Sequence, residues 1–154
     1  MGRTCCGFGH RIVLIDVEGP LREVLCNLIE TRGVTRFLTG GMGEFDELFA
    51  KTIRSLRSVY PQINLCLVVP YLTKRLNEKR ELLSFLYDEI ILPSELDGAN
   101  KKAAIPMRNR WMVDHSDFVI SAVHRDFGGA YEAVSYATRH GVQVKNLYRF
   151  IDNP

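Results

Sequence analysis

Short apolar runs alternate with segments of helical periodicity along nearly the whole chain, and this alternation limits the possible folds more than any other feature. The run INLCLVV at residues 63–69 is apolar on both faces and is followed by Pro70, which is typical of a buried parallel strand. Similar but shorter runs predict further strands at residues 3–8, 35–39, 89–92, 117–123 and 142–147.

Helical patterns fill the intervals between these strands. The cleanest is a single apolar stripe that ends at Pro61 and consists of Phe45, Leu48, Phe49, Thr52, Ile53, Leu56 and Tyr60. Other helices are predicted from Gly19–Pro20 to Gly33 and at residues 76–87, 105–115 and 130–140. Residues 93–104 are polar and aperiodic, which indicates a loop, while residues 12–17 fit a strand, a loop or a helix entry.

Alternating strands and helices predict an α/β fold, namely a Rossmann-like three-layer sandwich with a mostly parallel sheet and helices on both faces. The length of 154 residues suits a single domain over 1–154. In such folds ligands bind beyond the carboxyl ends of the strands, where the strand order reverses. The loops to inspect are therefore 9–11, 39–46, 70–75, 93–104 and 124–131.

The charge balance excludes some classes of partner. A net charge of +2 predicts no broad basic surface, so nucleic acid is not expected to be the main partner. The chain has no run long enough to span a bilayer and no secretory h-region, so we expect a cytoplasmic protein with no membrane partner. The cysteines and histidines lack metal-ligand spacing, so neither a metal nor a cofactor is expected.

Two of the loops after strands are rich in glycine, and each opens a predicted helix: TGGMGEFD at 39–46 and RDFGGAYE at 125–132. Helix N-termini present free N–H groups, and glycine lets an anion approach them closely. Neither loop is a Walker A motif or a dinucleotide fingerprint. Tight turning would explain one glycine pair, but two pairs at two such loops favour a ligand site.

Acidic residues make the first glycine-rich loop less suited than the second to bind an anion. Glu44, Asp46 and Glu47 place negative charge in the first helical turn after the first loop, where they would repel a phosphate. We therefore assign the phosphate to the second loop, at Gly128, Gly129 and Ala130. The sugar is assigned to the first loop, with Asp46 either accepting hydrogen bonds from ribose hydroxyls or serving as an ordinary helix-start acid, beside Gly40, Gly41 and Gly43.

The predicted helix at 105–115 carries an unusual polar pair on an apolar stripe, in the series Ile105, Arg108, Asn109, Met112 and Ser116. Arg108 beside Asn109 indicates either a crevice, where both would bind a phosphate, or a salt bridge to a carboxylate elsewhere. His10 and Arg11, directly after the first predicted strand, are further candidates for contact with an anion.

The motifs CC-x-x-GHR, FLTGGMGEFD, VVPY, RNRWMVDHSDFVIS and GGAYEAVSYATRHG, in this order, resemble the SLOG superfamily, named for the Smf/DprA and LOG proteins. Within it the chain is most similar to the small YpsA/YspA-type bacterial and phage proteins. The resemblance spans nearly the whole chain. It implies a Rossmann-like sheet, binding of nucleotides or nucleotide-derived signals, and assembly as a homodimer through exposed apolar residues on peripheral helices.

The sequence departs from the family pattern at three places. Phe8 replaces the threonine of the usual FTGHR start, and Ala130 replaces the threonine of the late GGT. The PGGxGTxxE motif of the LOG branch, which hydrolyses the N-glycosidic bond of nucleoside monophosphates, is incomplete. Glu132 is the candidate catalytic carboxylate in a shifted register, and an ordinary helix N-terminal acid is the alternative.

These observations predict binding of a nucleotide or nucleotide-derived ligand at the C-terminal edge of the sheet, in sensing or signalling. One alternative is an enzyme, a nucleotide phosphoribohydrolase or base transferase that uses Glu132 with Arg108. Another is an interaction module for single-stranded nucleic acid, with a basic patch at Lys101, Lys102, Arg108 and Arg110 and no interleaved aromatic residues.

Overall fold

The computed structural model describes residues 2–148, so residue 1 and residues 149–154 of the expected domain lie outside the described residues. A six-stranded, all-parallel sheet has the order β4-β3-β2-β1-β5-β6. Its strands are β1 (Arg3–Gly9), β2 (Val34–Thr39), β3 (Asn64–Val68), β4 (Glu89–Ile91), β5 (Phe118–Ala122) and β6 (Gln143–Asn146). The predicted α/β class and parallel sheet are confirmed.

Helices cover both faces of the sheet. They are α1 (Glu18–Arg32), α2 (Glu44–Leu56), α3 (Lys74–Glu78), α4 (Arg80–Leu86), α5 (Lys101–Asp114) and α6 (Gly129–Arg139). The apolar stripes of α1 and α2 form one core with Phe37 and Ile120 of the sheet, whereas α5 and α6 close a second core over the opposite face. The strand order runs outward from β1 in both directions, so the reversal lies between β1 and β5.

Three local predictions are corrected by the structure. The expected loop at 93–104 contains a short 3-10 turn at Ser94–Leu96, and α5 begins at Lys101 instead of residue 105. The Asn100 side chain caps this helix by accepting from the Ala103 N–H at 2.9 Å, so Pro106 lies inside the helix. The helix expected at 76–87 is divided into α3 and α4. Of the three alternatives left open for residues 12–17, the structure has the loop.

Helix α4, which precedes the edge strand β4 in the chain, has large apolar side chains on its exposed surface. Phe85 of α4 is 81% exposed and Leu82 is 54% exposed. The predicted homodimer requires exposed apolar residues of this kind. Assembly as a homodimer stays a prediction. No helix among residues 2–148 has the length and apolar character needed to span a membrane.

Candidate functional site

A cavity of about 590 Å³ opens at the carboxyl end of β1, beside the reversal of strand order. This position and size are typical of ligand sites in open α/β sheets. We call it the switch-point cavity. It is lined by eight of the residues selected from the sequence, namely His10, Arg11, Gly40, Asp46, Arg108, Asn109, Gly129 and Ala130. Gly41, Gly43, Gly128 and Glu132 do not line it.

Arg108 is a buried cation in the wall of this cavity, with only 3% of its surface exposed. Its Nη1 donates to the carbonyls of Val68 at 2.9 Å and Gly40 at 3.3 Å, and its Nε donates to Asn109 Oδ1 at 2.9 Å. Its Nη2 has only the weak acceptor Met42 Sδ, at 3.5 Å. Within residues 2–148 no carboxylate oxygen lies within 4.0 Å of its guanidinium, so the cationic charge lacks a direct counterion.

Asp46 is the acidic group of the cavity, and it is only 8% exposed. Burial raises the pKa of its carboxyl from 3.8 to about 7, although the Met42 N–H and the charge of Arg108 oppose this shift. Its Oδ2 accepts the Met42 N–H at 2.9 Å, which fixes the turn between β2 and α2. Asp46 therefore stabilises the first glycine-rich loop and also faces the cavity as a hydrogen-bond acceptor.

The close neighbours of the first glycine-rich loop, residues 40–43, are parts of the protein itself. A Cβ on Gly40 would lie 2.8 Å from the Arg108 guanidinium carbon, and one on Gly43 would lie 2.6 Å from the Arg11 Cα. A Cβ on Gly41 would lie 2.6 Å from Leu67 Cδ1. These glycines let neighbouring segments pack closely, and only Gly40 also borders the cavity.

The second glycine-rich loop, residues 125–129, is open by contrast. Gly128 precedes α6 with φ of 98° and no side-chain cap, and a Cβ on Gly129 would meet nothing within 4 Å. Within the described chain no hydrogen-bond acceptor is paired with the N–H groups of Gly128, Gly129 or Ala130. The helix start therefore leaves N–H donors available beside the cavity, where Gly129 and Ala130 form part of its wall.

His10 is held between donors on both sides of its ring. The His124 N–H donates to His10 Nε2 at 3.3 Å, and Arg125 Nη2 lies 3.1 Å from His10 Nδ1. Burial lowers the pKa of His10, and the charges of Arg125 and His124 act in the same direction. A neutral imidazole has one acceptor nitrogen, so it accepts from only one of these two donors at a time.

Arg125 and His124 also line the cavity, and the sequence analysis missed both. Arg125 belongs to the RDFGG segment, and its guanidinium carbon lies 4.7 Å from the centre of the Phe127 ring. The signal for Arg125 in the sequence was a charged residue inside a glycine-rich loop. Such a residue usually lies in solvent and binds nothing. Aromatic rings lie beside two basic groups in space: Phe127 lies under Arg125, and the centre of the Tyr71 ring lies 5.4 Å from the Nζ of Lys101, which belongs to the predicted basic patch.

Glu132 lines a neighbouring cavity of about 370 Å³ between α5 and α6, away from Arg108 and Asp46. The enzymatic alternative requires this carboxylate at the reacting anomeric carbon. It stays a prediction, which an assay for free base released from nucleoside monophosphates, with Glu132→Gln as the control, would test.

Comparison with known proteins gives one sequence relative and several similar folds. No protein-family model matches the chain. The chain is 24% identical over 143 residues to an uncharacterized SPbeta prophage-derived protein, YoqJ, of Bacillus subtilis (strain 168), with 82% of each chain covered. This similarity agrees with the expected kinship to phage proteins and carries no assigned activity.

Two of the similar solved structures are DNA processing protein A. The Helicobacter pylori protein matches with a TM-score of 0.64 and 13% identity, over 97% of this chain and 71% of that one. The Streptococcus pneumoniae protein matches with a TM-score of 0.66 and 15% identity, over 93% of this chain but only 49% of that one. A structural-genomics target, TM1055, gives a TM-score of 0.55 at 16% identity, over 92% of this chain and 72% of that one.

At these identities the matches establish the fold. The resemblance to the SLOG superfamily and the narrower YpsA/YspA-type assignment both stay predictions. The chain has the Rossmann-like architecture of the DNA processing protein A structures.

Proposed function

We propose that this protein binds a nucleotide or nucleotide-derived ligand in the switch-point cavity. The phosphate lies against the N–H groups of Gly129 and Ala130, where the guanidinium of Arg108 supplies positive charge. The sugar lies towards Gly40, with its hydroxyls donating to the carboxylate of Asp46.

The observation that carries this proposal is the buried Arg108 without a carboxylate within 4.0 Å in the described chain. Burying an arginine without a counterion is unfavourable, and within the described residues the Nη2 of Arg108 has only a sulfur acceptor. An anionic ligand supplies the missing charge, and the open helix start beside it offers further donors. A neutral apolar ligand would leave Arg108 unpaired.

Arg125 gives the sharpest test, because its side chain is exposed and its removal leaves the core intact. Arg108→Ala should weaken phosphate binding by about 1.5–3 kcal/mol. This substitution also removes the hydrogen-bond donor of the Val68 and Gly40 carbonyls, so its effect on binding is mixed with an effect on the fold. We expect Arg125→Ala to weaken binding of a 5′-mononucleotide about tenfold, because Arg125 can turn from His10 to the phosphate. Arg75→Ala, an exposed arginine on α3, serves as the matched control.

The measurement is calorimetric titration with the ribonucleoside and deoxyribonucleoside 5′-monophosphates and the corresponding nucleosides. The proposal expects at least one monophosphate to bind, its nucleoside to bind at least about tenfold more weakly, and Arg125→Ala, but not the control Arg75→Ala, to weaken the complex. Equal affinity for nucleoside and nucleotide, or a folded protein that binds none of them, contradicts the proposal.

Single-stranded DNA is the second candidate ligand, and the exposed ring of Phe127 favours it. The Helicobacter pylori DNA processing protein A of similar fold has a single-stranded DNA binding mode, which weakens the expectation that nucleic acid is not a partner. Phe127 is 59% exposed beside Arg125, and Ile12 and Leu14 on the cavity rim are 63% and 67% exposed. An aromatic platform next to a cation is the usual arrangement for stacking an unpaired base.

Fluorescence anisotropy with a labelled oligonucleotide separates the two candidates. If a strand is the ligand, affinity falls as salt rises, and Phe127→Ala weakens binding by about 1–3 kcal/mol. Binding of mononucleotides together with no binding of the oligonucleotide at low salt removes this second candidate.

A further inference from the structure

The switch-point cavity adjoins the cavity between α5 and α6, which we call the interhelical groove. Three residues, Ile105, Asn109 and Gly129, line both. A Cβ placed on Gly129 would meet nothing within 4 Å. The backbone at the start of α6 therefore borders both cavities, and no side chain of its own stands between them at Gly129.

The interhelical groove follows one face of α6. Gly129, Glu132, Tyr136 and Arg139 line it from α6 at helical spacing, and Arg110 faces it from α5. The eleven residues from Gly129 to Arg139 span ten helical steps, or about 15 Å along the helix axis. The groove is thus elongated and begins beside the switch-point cavity.

The polar groups in this groove are suited to a second anionic or sugar-bearing unit. Neither Arg110 nor Arg139 has a carboxylate oxygen within 4.0 Å among the residues that the structure describes. The other charged groups facing this region are Glu132, which can accept from a sugar hydroxyl, and Asp114, which already accepts from the Tyr136 hydroxyl at 2.8 Å. Two arginines and one carboxylate, that of Glu132, therefore line the groove, and the second nearby carboxylate, that of Asp114, is already paired with Tyr136.

The volumes also favour two separate units. The switch-point cavity measures about 590 Å³ and the groove about 370 Å³. Each falls within the range of about 300–1,000 Å³ that is usual for a small-molecule site. One nucleotide anchored by Arg108 would occupy the first and leave the second empty.

We propose that the ligand consists of two linked nucleotide units, one in the switch-point cavity and one in the interhelical groove, with the linking phosphate over Gly129. This inference rests on the function proposed above and specifies its ligand class. Two kinds of ligand contain two linked nucleotide units. One is a free dinucleotide, such as a pyrophosphate-linked one, and the other is two consecutive nucleotides of a single strand. Arg110 and Arg139 are the residues that distinguish two units from one.

Calorimetric titration of the full chain tests this inference. The probes are the ribonucleoside 5′-monophosphates, their 5′-phosphorylated homodinucleotides, the pyrophosphate-linked dinucleotide NAD and a short single-stranded oligonucleotide. The proteins are wild type, Arg110→Ala, Arg139→Ala and the control Arg75→Ala, each checked for folding by thermal unfolding. All three arginines have exposed side chains, so these variants are expected to fold.

A two-unit ligand should bind at least about tenfold more tightly than its mononucleotide. Arg110→Ala or Arg139→Ala should remove that gain and leave mononucleotide affinity unchanged, whereas Arg75→Ala should change neither. Preference for NAD, a pyrophosphate-linked dinucleotide, indicates a free dinucleotide, and preference for the phosphodiester dinucleotide and the oligonucleotide indicates a strand.

Equal affinity for mononucleotides and two-unit probes, or a gain that persists in both groove variants, overturns the two-unit inference and leaves the proposed nucleotide site intact. Failure of the folded wild-type protein to bind any probe overturns both the two-unit inference and the proposed nucleotide site.

Discussion

The two glycine-rich loops have similar sequences and similar backbones, but they differ in what surrounds them. Gly43 and Gly128 each precede a helix, with φ of 95° and 98° and ψ of 177° and 171°. Around Gly43 the space is filled by Arg11, whose carbonyl accepts the Glu44 N–H at 2.8 Å. Around Gly128 the nearest atom to an added Cβ is Arg125 Nη2, at 3.9 Å.

This difference shows that a glycine-rich loop before a helix has two distinct uses. In the first loop glycine allows the chain to pack on itself, and the start of α2 is already occupied by Arg11 and by the Glu44 side chain, which accepts the Val13 N–H at 2.8 Å. In the second loop the same geometry leaves the start of α6 open. The open loop therefore offers the N–H donors of its helix start to a phosphate.

The largest effect should come from placing a methyl group in the filled loop. Gly43→Ala forces alanine into a backbone region that is essentially restricted to glycine, and its Cβ lies 2.6 Å from a backbone atom. We expect a loss of about 3–5 kcal/mol in the free energy of unfolding, since strain and overpacking add. Denaturant unfolding measures this loss.

Gly128→Ala is the matched control, because its backbone strain is similar and the clash is absent. It should cost about 1–3 kcal/mol. Equal losses of unfolding free energy in the two variants would contradict the comparison. The different surroundings of the two loops would then have no effect on stability.

Asp46→Asn should change the free energy of unfolding by an intermediate amount, and this change should depend on pH. Because the folded-state pKa is raised from 3.8 to about 7, the folded protein holds a proton that the unfolded chain releases, and wild-type stability falls as pH rises through this interval. The full shift corresponds to about 4 kcal/mol, and burial of the new amide offsets part of it. We expect the variant to gain about 1–3 kcal/mol over wild type between pH 4 and pH 8.

Unfolding curves at pH 4, 6 and 8 check this expectation. A stability difference between wild type and Asp46→Asn that is the same at all three pH values would show that the carboxyl titrates normally. The same series with a bound nucleotide sharpens the test, because a ribose donor should prefer the ionised carboxylate and bind more tightly above pH 7.

The smallest effect on stability should come from Gly129→Ala. Nothing lies within 4 Å of the added methyl group, and alanine is favoured over glycine in a helix, so stability should change by no more than about 1 kcal/mol. Nucleotide affinity should nevertheless fall, since the methyl group occupies the space assigned to the phosphate. Unchanged affinity measured by calorimetry in this stable variant would place the phosphate elsewhere.

The fold was predictable because its signals are local and repeated. The buried run at β3 and the apolar stripe of α2 each show a period that belongs to one type of element, and the alternation then fixes a parallel sheet. The start of α5 was missed because Pro106 resembles a first-turn proline, while the capping by Asn100 that sets the true boundary carries a weaker signal.

The site was predictable only in part, because its decisive contacts join residues distant in sequence. Arg108 stood out because an arginine interrupts an apolar stripe. Nothing local indicated that Arg11 and Leu67 would fill the space around Gly43 and Gly41. Arg125 was missed because an exposed charge on a loop usually has no role beyond solvation.

The most direct test of the account is amide mapping by ¹H–¹⁵N NMR during titration with the tightest-binding nucleotide. We predict that the largest chemical-shift changes occur at the N–H groups of Gly129 and Ala130, with small changes at Gly41 and Gly43. Large changes at Gly41 and Gly43 with none at Gly129 and Ala130 would contradict the assignment of the phosphate to the open loop.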